Sequence, residues 1–434
     1  MKCLILAAGR GSRLRQRADS KPLLPLLGLP LIERGIRAAH MAGADHFIVV
    51  TGYQAATVEA FLQRLSRRLR IPIETVFNPD WASRENGHSV LAAANRLDGP
   101  FLLLMADHIF DPALLQTLIR HGPPASGVAL AVDGALDNPL VDLDDVTRVR
   151  RKGEAIIAIG KHLESYDGYD TGAFLATPTL FTALEQATDS SLSAAVQILA
   201  QESRACAVDV SGRFWIDVDD EAALKRAEQA LLDNAGGKTA DGPVSRWLNR
   251  PLSIRLSRRL TRWPVTPNQI SLLSFALSLL AAALLFTPGW ATLALGGLLA
   301  QVASIIDGCD GEIARLKFQG SDYGGWFDAV LDRYADAALL FGMSWHAWRQ
   351  SAWDGALVIG FLAIIGSFMV SYTADKYDGL MRQRGGARFR LGRDVRVLIL
   401  CIGALLDQAL ATLALIALVM NAESLRRILV CRHD

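Results

Sequence analysis

No two cysteines of this 434-residue chain form a CxxC pair; Cys3, Cys206, Cys309, Cys401 and Cys431 are scattered. That spacing suggests neither a zinc site nor a disulfide framework, and it fits a reducing cytosol. Lysine is scarce as well, with eight residues among the 45 basic positions. Heat-adapted proteins tend to be rich in Lys and Glu, so the composition does not advertise extreme temperature. A cleavage site is missing after the short apolar run Met1–Ala8, which passes directly into a glycine loop. The run therefore reads as a first β-strand and not as a signal peptide. Surplus charge is absent too, but the net charge of +1 averages two dissimilar halves and decides nothing. No nucleic-acid partner is expected.

Long apolar stretches are lacking before about residue 235 and form a series after residue 265. Length favours two domains, here residues 1–235 and 244–434 with a linker at 236–243. The first half has the βαβ rhythm of a mostly parallel sheet, a Rossmann-like α/β domain. Strand candidates are Cys3–Leu6, Phe47–Thr51, Glu74–Phe77, Phe101–Met105 and Gly127–Val132. Helical patterns cover Ala55–Arg70, Ser89–Leu97 and about Glu221–Leu232. Asn234–Pro243 is rich in glycine and breakers, as a linker is.

Val244–Trp263 sets Arg246, Arg250, Arg255, Arg258, Arg259 and Arg262 among Trp247, Leu252, Leu256, Leu260 and Trp263, an interfacial helix pattern. Six membrane-spanning helices are expected beyond it, near 268–286, 289–306, 325–345, 354–373, 395–407 and 409–422, giving an all-α second domain. With the first domain in the cytosol, the inside segments hold Arg315, Lys317, Lys376, Arg382, Arg384, Arg388, Arg390, Arg393, Arg426, Arg427 and Arg432. The outside loops hold only Arg349. This asymmetry predicts a multi-pass protein of the cell (inner) membrane with both termini cytoplasmic.

Within that apolar half stand Asp307, Asp310, Asp328 and Asp332. An ionised carboxylate at bilayer depth costs roughly 2.5–3.5 kcal/mol on insertion scales, so four need compensation. Asp307 and Asp310 are i,i+3 and Asp328 and Asp332 are i,i+4, so each pair shares a helix face. Two such faces turned together make a hard-oxygen cage suited to Mg²⁺ or Mn²⁺. Loop charge puts the cage at the cytosolic end of its helices.

At the other end of the chain, Leu6-Ala7-Ala-Gly9-Arg-Gly11-Ser-Arg13-Leu14 follows a strand, with Lys21-Pro22 further on. Glycines let backbone N–H groups approach phosphates, and Arg13 and Lys21 supply charge for a triphosphate. Leu14 stands where a dinucleotide fingerprint wants a third glycine, and the Gly-Lys-Ser/Thr of a Walker loop is absent. The segment resembles the signature of sugar-phosphate and alcohol-phosphate nucleotidyltransferases. Arg84-Glu-Asn86-Gly-His-Ser89 is similar to the base-selecting segment of the cytidylyltransferases among them. That resemblance implies nucleotide contacts at Ala7, Gly9, Gly11, Arg13, Lys21, Asn86 and Ser89, with Arg13 and Lys21 also catalytic. It further implies metal ligands at Asp107, Asp217 and Asp219, and acceptor contacts at Lys161, Asp170 and Gly172.

The aspartate segment fits D-x2-D-G-x2-A-R-x8-G-x3-D-x3-D at every fixed position, from Asp307 to Asp332. It resembles the CDP-alcohol phosphotransferase family, as do Thr266-Pro-Asn268 and Arg393-Asp-Val-Arg396. The resemblance implies metal ligation by Asp307, Asp310, Asp328 and Asp332, with Asp332 also the base that deprotonates an acceptor hydroxyl. Gly311, Arg315 and Gly324 would contact the nucleotide, and Arg393 and Arg396 the acceptor's phosphate, whose geometry guanidinium forks match. Asp336, one turn further on, lies outside the family pattern.

The order of the two halves makes consecutive sense, one making a CDP-alcohol and the other consuming it. The combined resemblance implies CTP and inositol 1-phosphate as substrates, CDP-inositol as intermediate, and a second inositol 1-phosphate as acceptor. It also implies Mg²⁺ or Mn²⁺, a lipid bilayer around the second half, and a homodimer through it. One alternative is a cytidylyltransferase for another phospho-alcohol or phosphonate, coupled to a lipid acceptor. Another is a soluble transferase carried by a non-catalytic membrane anchor.

Overall fold

The computed structural model describes residues 1–14, 17–236, 242–383 and 392–432. Most of the expected linker, and Arg384, Arg388 and Arg390 of the basic loop, lie outside the described residues. The chain divides into two compact units, Met1–Ala230 and Leu231–Asp434.

Unit 1 is built on a nine-stranded sheet. Across the sheet the strands run Ile73–Phe77, His46–Thr51, Lys2–Ala7, Phe101–Met105, Gly168–Ala176, Val128–Asp133, Ala205–Asp209, Ala155–Gly160 and Arg148–Lys152. All five strands expected from sequence are present. The first four in this order are parallel, because helices such as Leu31–Ala42 and Ala55–Leu69 provide the long crossovers that parallel neighbours need. The remainder corrects the expectation of a mostly parallel sheet. Gly168–Ala176 runs antiparallel to both its neighbours, and Arg148–Lys152 and Ala155–Gly160 form a hairpin around Gly153 at φ +62.

Leu4, Leu6, Ile48, Val50 and Leu103 are buried, as continuous apolar runs in a covered sheet should be. The helix Ala55–Leu69 turns Val58, Leu62 and Leu65 inward at helical spacing. The segment expected as one helix at Ser89–Leu97 starts earlier, at Asn86, and leaves helical geometry at Ala93 before a short 3₁₀ turn. Gly87, in its first turn, fits against the Ser190 carbonyl, where a Cβ would stand at 2.2 Å.

Lys2–Ala7 lies at the point where the strand order reverses, with His46–Thr51 on one side and Phe101–Met105 on the other. Ligands of open α/β sheets bind at such switch points. The glycine loop leaves this strand there, and Asp107 follows the neighbouring one.

Unit 2 is helical: α1 (Arg250–Leu260), α2 (Pro267–Phe286), α3 (Trp290–Leu316), α4 (Asp322–Ser351), α5 (Gly355–Tyr372), α6 (Ala374–Gln383), α7 (Arg393–Leu405) and α8 (Ala409–Cys431). Helices occupy all six positions expected of spans. Three of them, α2, α3 and α5, are long and apolar enough to cross a membrane by length and composition; α7 has only 13 residues. Small residues let the helices approach closely. A Cβ on Gly342 would stand 2.8 Å from the Ala282 carbonyl, and one on Gly297 would stand 2.6 Å from Ala404 Cβ.

The amphipathic helix differs from its sequence pattern. Its buried stripe is polar: Asn249, Ser253, Ser257 and Thr261 recur every fourth residue. Ser253 and Ser257 each donate to the Glu312 carboxylate at 2.6 Å, and Arg250 donates at 2.8 Å. A carboxylate only 1 % exposed needs such partners. Trp247 and Trp263 are left exposed at 85 % and 65 %, so the aromatic edge faces outward.

Candidate active sites

The first site lies at the switch point. Lys21, only 8 % exposed, donates to Asp107 Oδ2 at 2.6 Å and also binds Asp219. Gly11 has φ +58, and a Cβ there would stand 2.4 Å from Lys21 Cβ. The loop therefore needs glycine to admit the lysine. His108 Nδ1 lies 3.0 Å from Asp107 and 3.5 Å from Asp217. Strand register produces this proximity, since Asp217 pairs across from His108 in a two-stranded ribbon. Gly172, at φ +76, leaves room for the imidazole, which a Cβ would approach to 2.7 Å.

Electrostatics follow from burial and crowding. Burial opposes charge on Lys21, but Asp107, Asp217 and Asp219 together raise its pKa and keep it an ammonium. Asp107, despite its burial, is held far below the usual carboxylate range by Lys21 and His108. His108 is buried but rises to about 9 beside Asp217 and Asp107. Burial pushes Asp217 up to about 7 against the pull of His108, with Asp107 adding to the rise. Burial likewise pushes Asp170 up to about 6, while the Gly172 N–H holds it down.

Ligand atoms of Asp107, His108 and Asp217 lie within 4.8 Å of one another. Asp217 Oδ1 is buried without a hydrogen-bond partner, so carboxylate oxygens are available here for a hard cation. Asp219, bonded to Lys21, stands outside that group of three.

A cavity of about 420 Å³ opens beside this cluster. Gly9, Asn86, Ser89, Asp107, Lys161, Asp170, Gly172, Asp217 and Asp219 all line it. Ala7, Gly9, Gly11, Arg13 and Lys21 line an adjoining one of about 300 Å³. Asn86 Oδ1 accepts from Leu192 N at 3.0 Å, and Ser89 Oγ accepts from Asn78 at 3.0 Å.

The second site lies in unit 2, around a cavity of about 310 Å³. Carboxylate oxygens of Asp307, Asp328 and Asp332 lie within 4.8 Å of one another. Asp310 lines the same cavity but is engaged by Ser271 Oγ at 2.6 Å and by the Gly311 amide. Ser274 Oγ donates to Asp307 at 3.0 Å. Arg393 Nη1 reaches both Asp307 and Asp332 at 2.7 Å, and its Nε reaches Asp336 at 3.1 Å. The all-oxygen donor set fits a hard divalent cation. Gly311 and Arg315 line the cavity, and Arg315 Nε donates to the Ala235 carbonyl at 2.7 Å. Gly324 does not line it; it sits in the first turn of α4, against Ser321 and Asn268.

Known proteins match both units. Residues 3–203 match the MobA-like NTP transferase domain, and residues 264–429 match the CDP-alcohol phosphatidyltransferase family. A relative from Rubrobacter xylanophilus, named bifunctional IPC transferase and DIPP synthase, is 38 % identical over 99 % of this chain and 96 % of its own. One of the same name from Aquifex aeolicus is 33 % identical over 96 % of this chain and 95 % of its own. The chain belongs to this bifunctional family. Among solved structures, the inositol-1-phosphate CTP transferase from T. maritima is 22 % identical with a TM-score of 0.48, covering 52 % of this chain and 93 % of that one. The two family resemblances read from motifs are thus borne out, and in the expected order.

Membership of the family leaves several site residues that motif reading passed over. Asp145 binds Arg13 at 3.2 Å and also Lys161, joining two cations expected to contact substrate. It sits in an irregular acidic loop with no periodicity to single it out. Ser271 and Ser274 give a signal only in hindsight, as polar residues one turn apart in an apolar helix. Trp81 lines the larger cavity and packs edge-on to Tyr53 at 5.5 Å.

Proposed function

We propose that unit 1 joins CTP to inositol 1-phosphate, giving CDP-inositol and pyrophosphate, and that unit 2 passes the phosphoinositol group to a second inositol 1-phosphate. In the first step a phosphate oxygen of inositol 1-phosphate attacks the α-phosphorus of CTP. The bond to the bridging oxygen breaks, and pyrophosphate leaves. Gly9 and Gly11 present backbone amides to the triphosphate, with Arg13 and Lys21 neutralising its charge. Asn86 and Ser89 select the base, and Lys161, Asp170 and Gly172 seat the acceptor. No protein nucleophile is required; positioning and charge stabilisation carry the step.

In the second step Asp332 takes the proton of an inositol hydroxyl. The resulting oxygen attacks the phosphorus bearing inositol in CDP-inositol, the bond to the bridging oxygen breaks, and CMP leaves. Arg393 faces the acceptor's phosphate with Arg396 behind it, bonded to Asp336, and Gly311 and Arg315 face the nucleotide. Asp107, Asp217 and Asp219 in unit 1, and Asp307, Asp310, Asp328 and Asp332 in unit 2, would hold Mg²⁺ or Mn²⁺. Such ions, when bound, would supply neutralisation of phosphate charge. We place the second unit in the bilayer as six spans of a homodimer, with both termini and both sites on the cytosolic side.

The observation that carries the reading is the meeting of Asp307, Asp328 and Asp332 within 4.8 Å, from two helices of a chain that also assembles Asp107 and Asp217. A lipid acceptor is the second reading. A relative from Pyrococcus horikoshii named archaetidylinositol phosphate synthase is 28 % identical over 42 % of this chain and 90 % of its own. Labelled inositol 1-phosphate with CTP and Mg²⁺ separates the two. The first reading expects label in a water-soluble phosphodiester; label that enters the organic phase only when lipid is added would establish the second.

A further inference from the structure

We infer that Asp336 is a positioning residue for the second transfer, fixing Arg393 against the base Asp332 and toward the acceptor's phosphate. The inference rests on the reading of Arg393 as an acceptor-phosphate ligand. Asp336 stands one turn beyond Asp332 on α4 and is 4 % exposed. Both its oxygens are occupied, Oδ1 by Arg393 Nε at 3.1 Å and Oδ2 by Arg396 Nη2 at 2.6 Å. Arg396 is itself 3 % exposed and donates further to Ser371 Oγ at 3.3 Å. Its fork is committed to Asp336 and α5, so it buttresses the carboxylate more than it faces a substrate.

Arg393 is placed differently. Anchoring at Nε fixes the plane of the guanidinium, while Nη1 reaches Asp307 on α3 and Asp332 on α4. An arginine has several rotatable bonds, and ordering such a side chain costs up to about 2 kcal/mol. Asp336 meets that cost before substrate arrives, so the plane of the guanidinium is already set when a tetrahedral anion binds beside Asp332. A carboxylate this enclosed is retained only with its cations, since an unpaired one would be expensive. The chain Ser371–Arg396–Asp336–Arg393–Asp332 therefore runs from α5 through α7 to the base, and Asp336 is the member that touches both arginines.

The test uses the full-length chain in detergent, supplied with CDP-inositol and varied inositol 1-phosphate. Asp336→Asn is expected to raise KM for inositol 1-phosphate by about tenfold or more, leaving KM for CDP-inositol and the pyrophosphate-releasing activity unchanged. Combined with Arg393→Gln it should add nothing to the single arginine change, since one acts through the other. An unchanged acceptor KM with a lowered kcat, or effects that multiply in the double variant, would overturn the inference. If Arg393→Gln alone leaves acceptor KM unchanged, the acceptor-site reading fails first. If only the arginine change raises it, the inference alone fails. Should Asp336→Asn not fold, Asp336→Glu keeps the charge and shifts it by one methylene. It should raise acceptor KM by a smaller factor, and no rise at all would count against the role.

Discussion

The acidic centre of unit 1 is gathered from strand ends and a loop, whereas that of unit 2 is gathered from successive turns of two helices. Each is bridged by an enclosed cation from a distant part of the chain, Lys21 in the first and Arg393 in the second. The scaffolds differ in what they let a sequence reveal. A helix fixes which positions share a face, so spacings of three and four announce the second cage. A sheet assembles its site through register and crossover, which local spacing does not encode.

The comparison breaks if the two centres do not work independently, and the largest expected effect tests that. Asp107→Asn should lower pyrophosphate release by about 10²–10³-fold, while CMP release from supplied CDP-inositol persists; parallel loss of both activities would mean one shared centre. Gly11→Ala probes the loop that only unit 1 possesses. Its Cβ would collide with Lys21 in a left-handed backbone, so pyrophosphate release should fall by about 10–100-fold with CMP release untouched.

The pH dependence sharpens the contrast from the unit 1 side. Asp217, raised to about 7, and Asp170, raised to about 6, are protonated below those values and cannot ligate or accept as carboxylates. Metal affinity at the first site should therefore climb as pH rises through about 7, measured by Mn²⁺ titration. The same raised values favour the folded metal-free unit at low pH. That contribution is complete below the ordinary carboxylate pKa and is lost as pH passes about 6 to 7. Flat Mn²⁺ affinity from pH 5 to 8 would contradict this assignment. The smallest effect belongs to unit 2: Glu312→Gln removes the charge that Arg250, Ser253 and Ser257 share. A loss of about 1–3 kcal/mol should appear as earlier thermal inactivation of CMP release alone.

Legibility followed the same divide. The tetrad and the positions of the six expected helices could be read from spacing and apolar length. In unit 1 the five apolar strands were legible, whereas the strand Arg148-Val-Arg-Arg-Lys152 carries four basic residues and no apolar run to mark it. It pairs with Ala155–Gly160 in a hairpin and with Gly168–Ala176, and neither pairing shows as an apolar run. Asp336 was visible as one more carboxylate a turn beyond the cage, yet its partners come from α7. Glu312 looked like any polar residue at a helix end until Ser253 and Ser257 were brought against it. Long-range pairing leaves no local periodicity, which is why Asp145, Ser271 and Ser274 also escaped notice.

The most direct test of two stations on one chain is Asp332→Asn, assayed with CTP, inositol 1-phosphate and Mg²⁺. Pyrophosphate should be released at the unmodified rate while CDP-inositol accumulates and no CMP appears. Continued CMP release by this variant would remove Asp332 from the chemistry and contradict the two-station account.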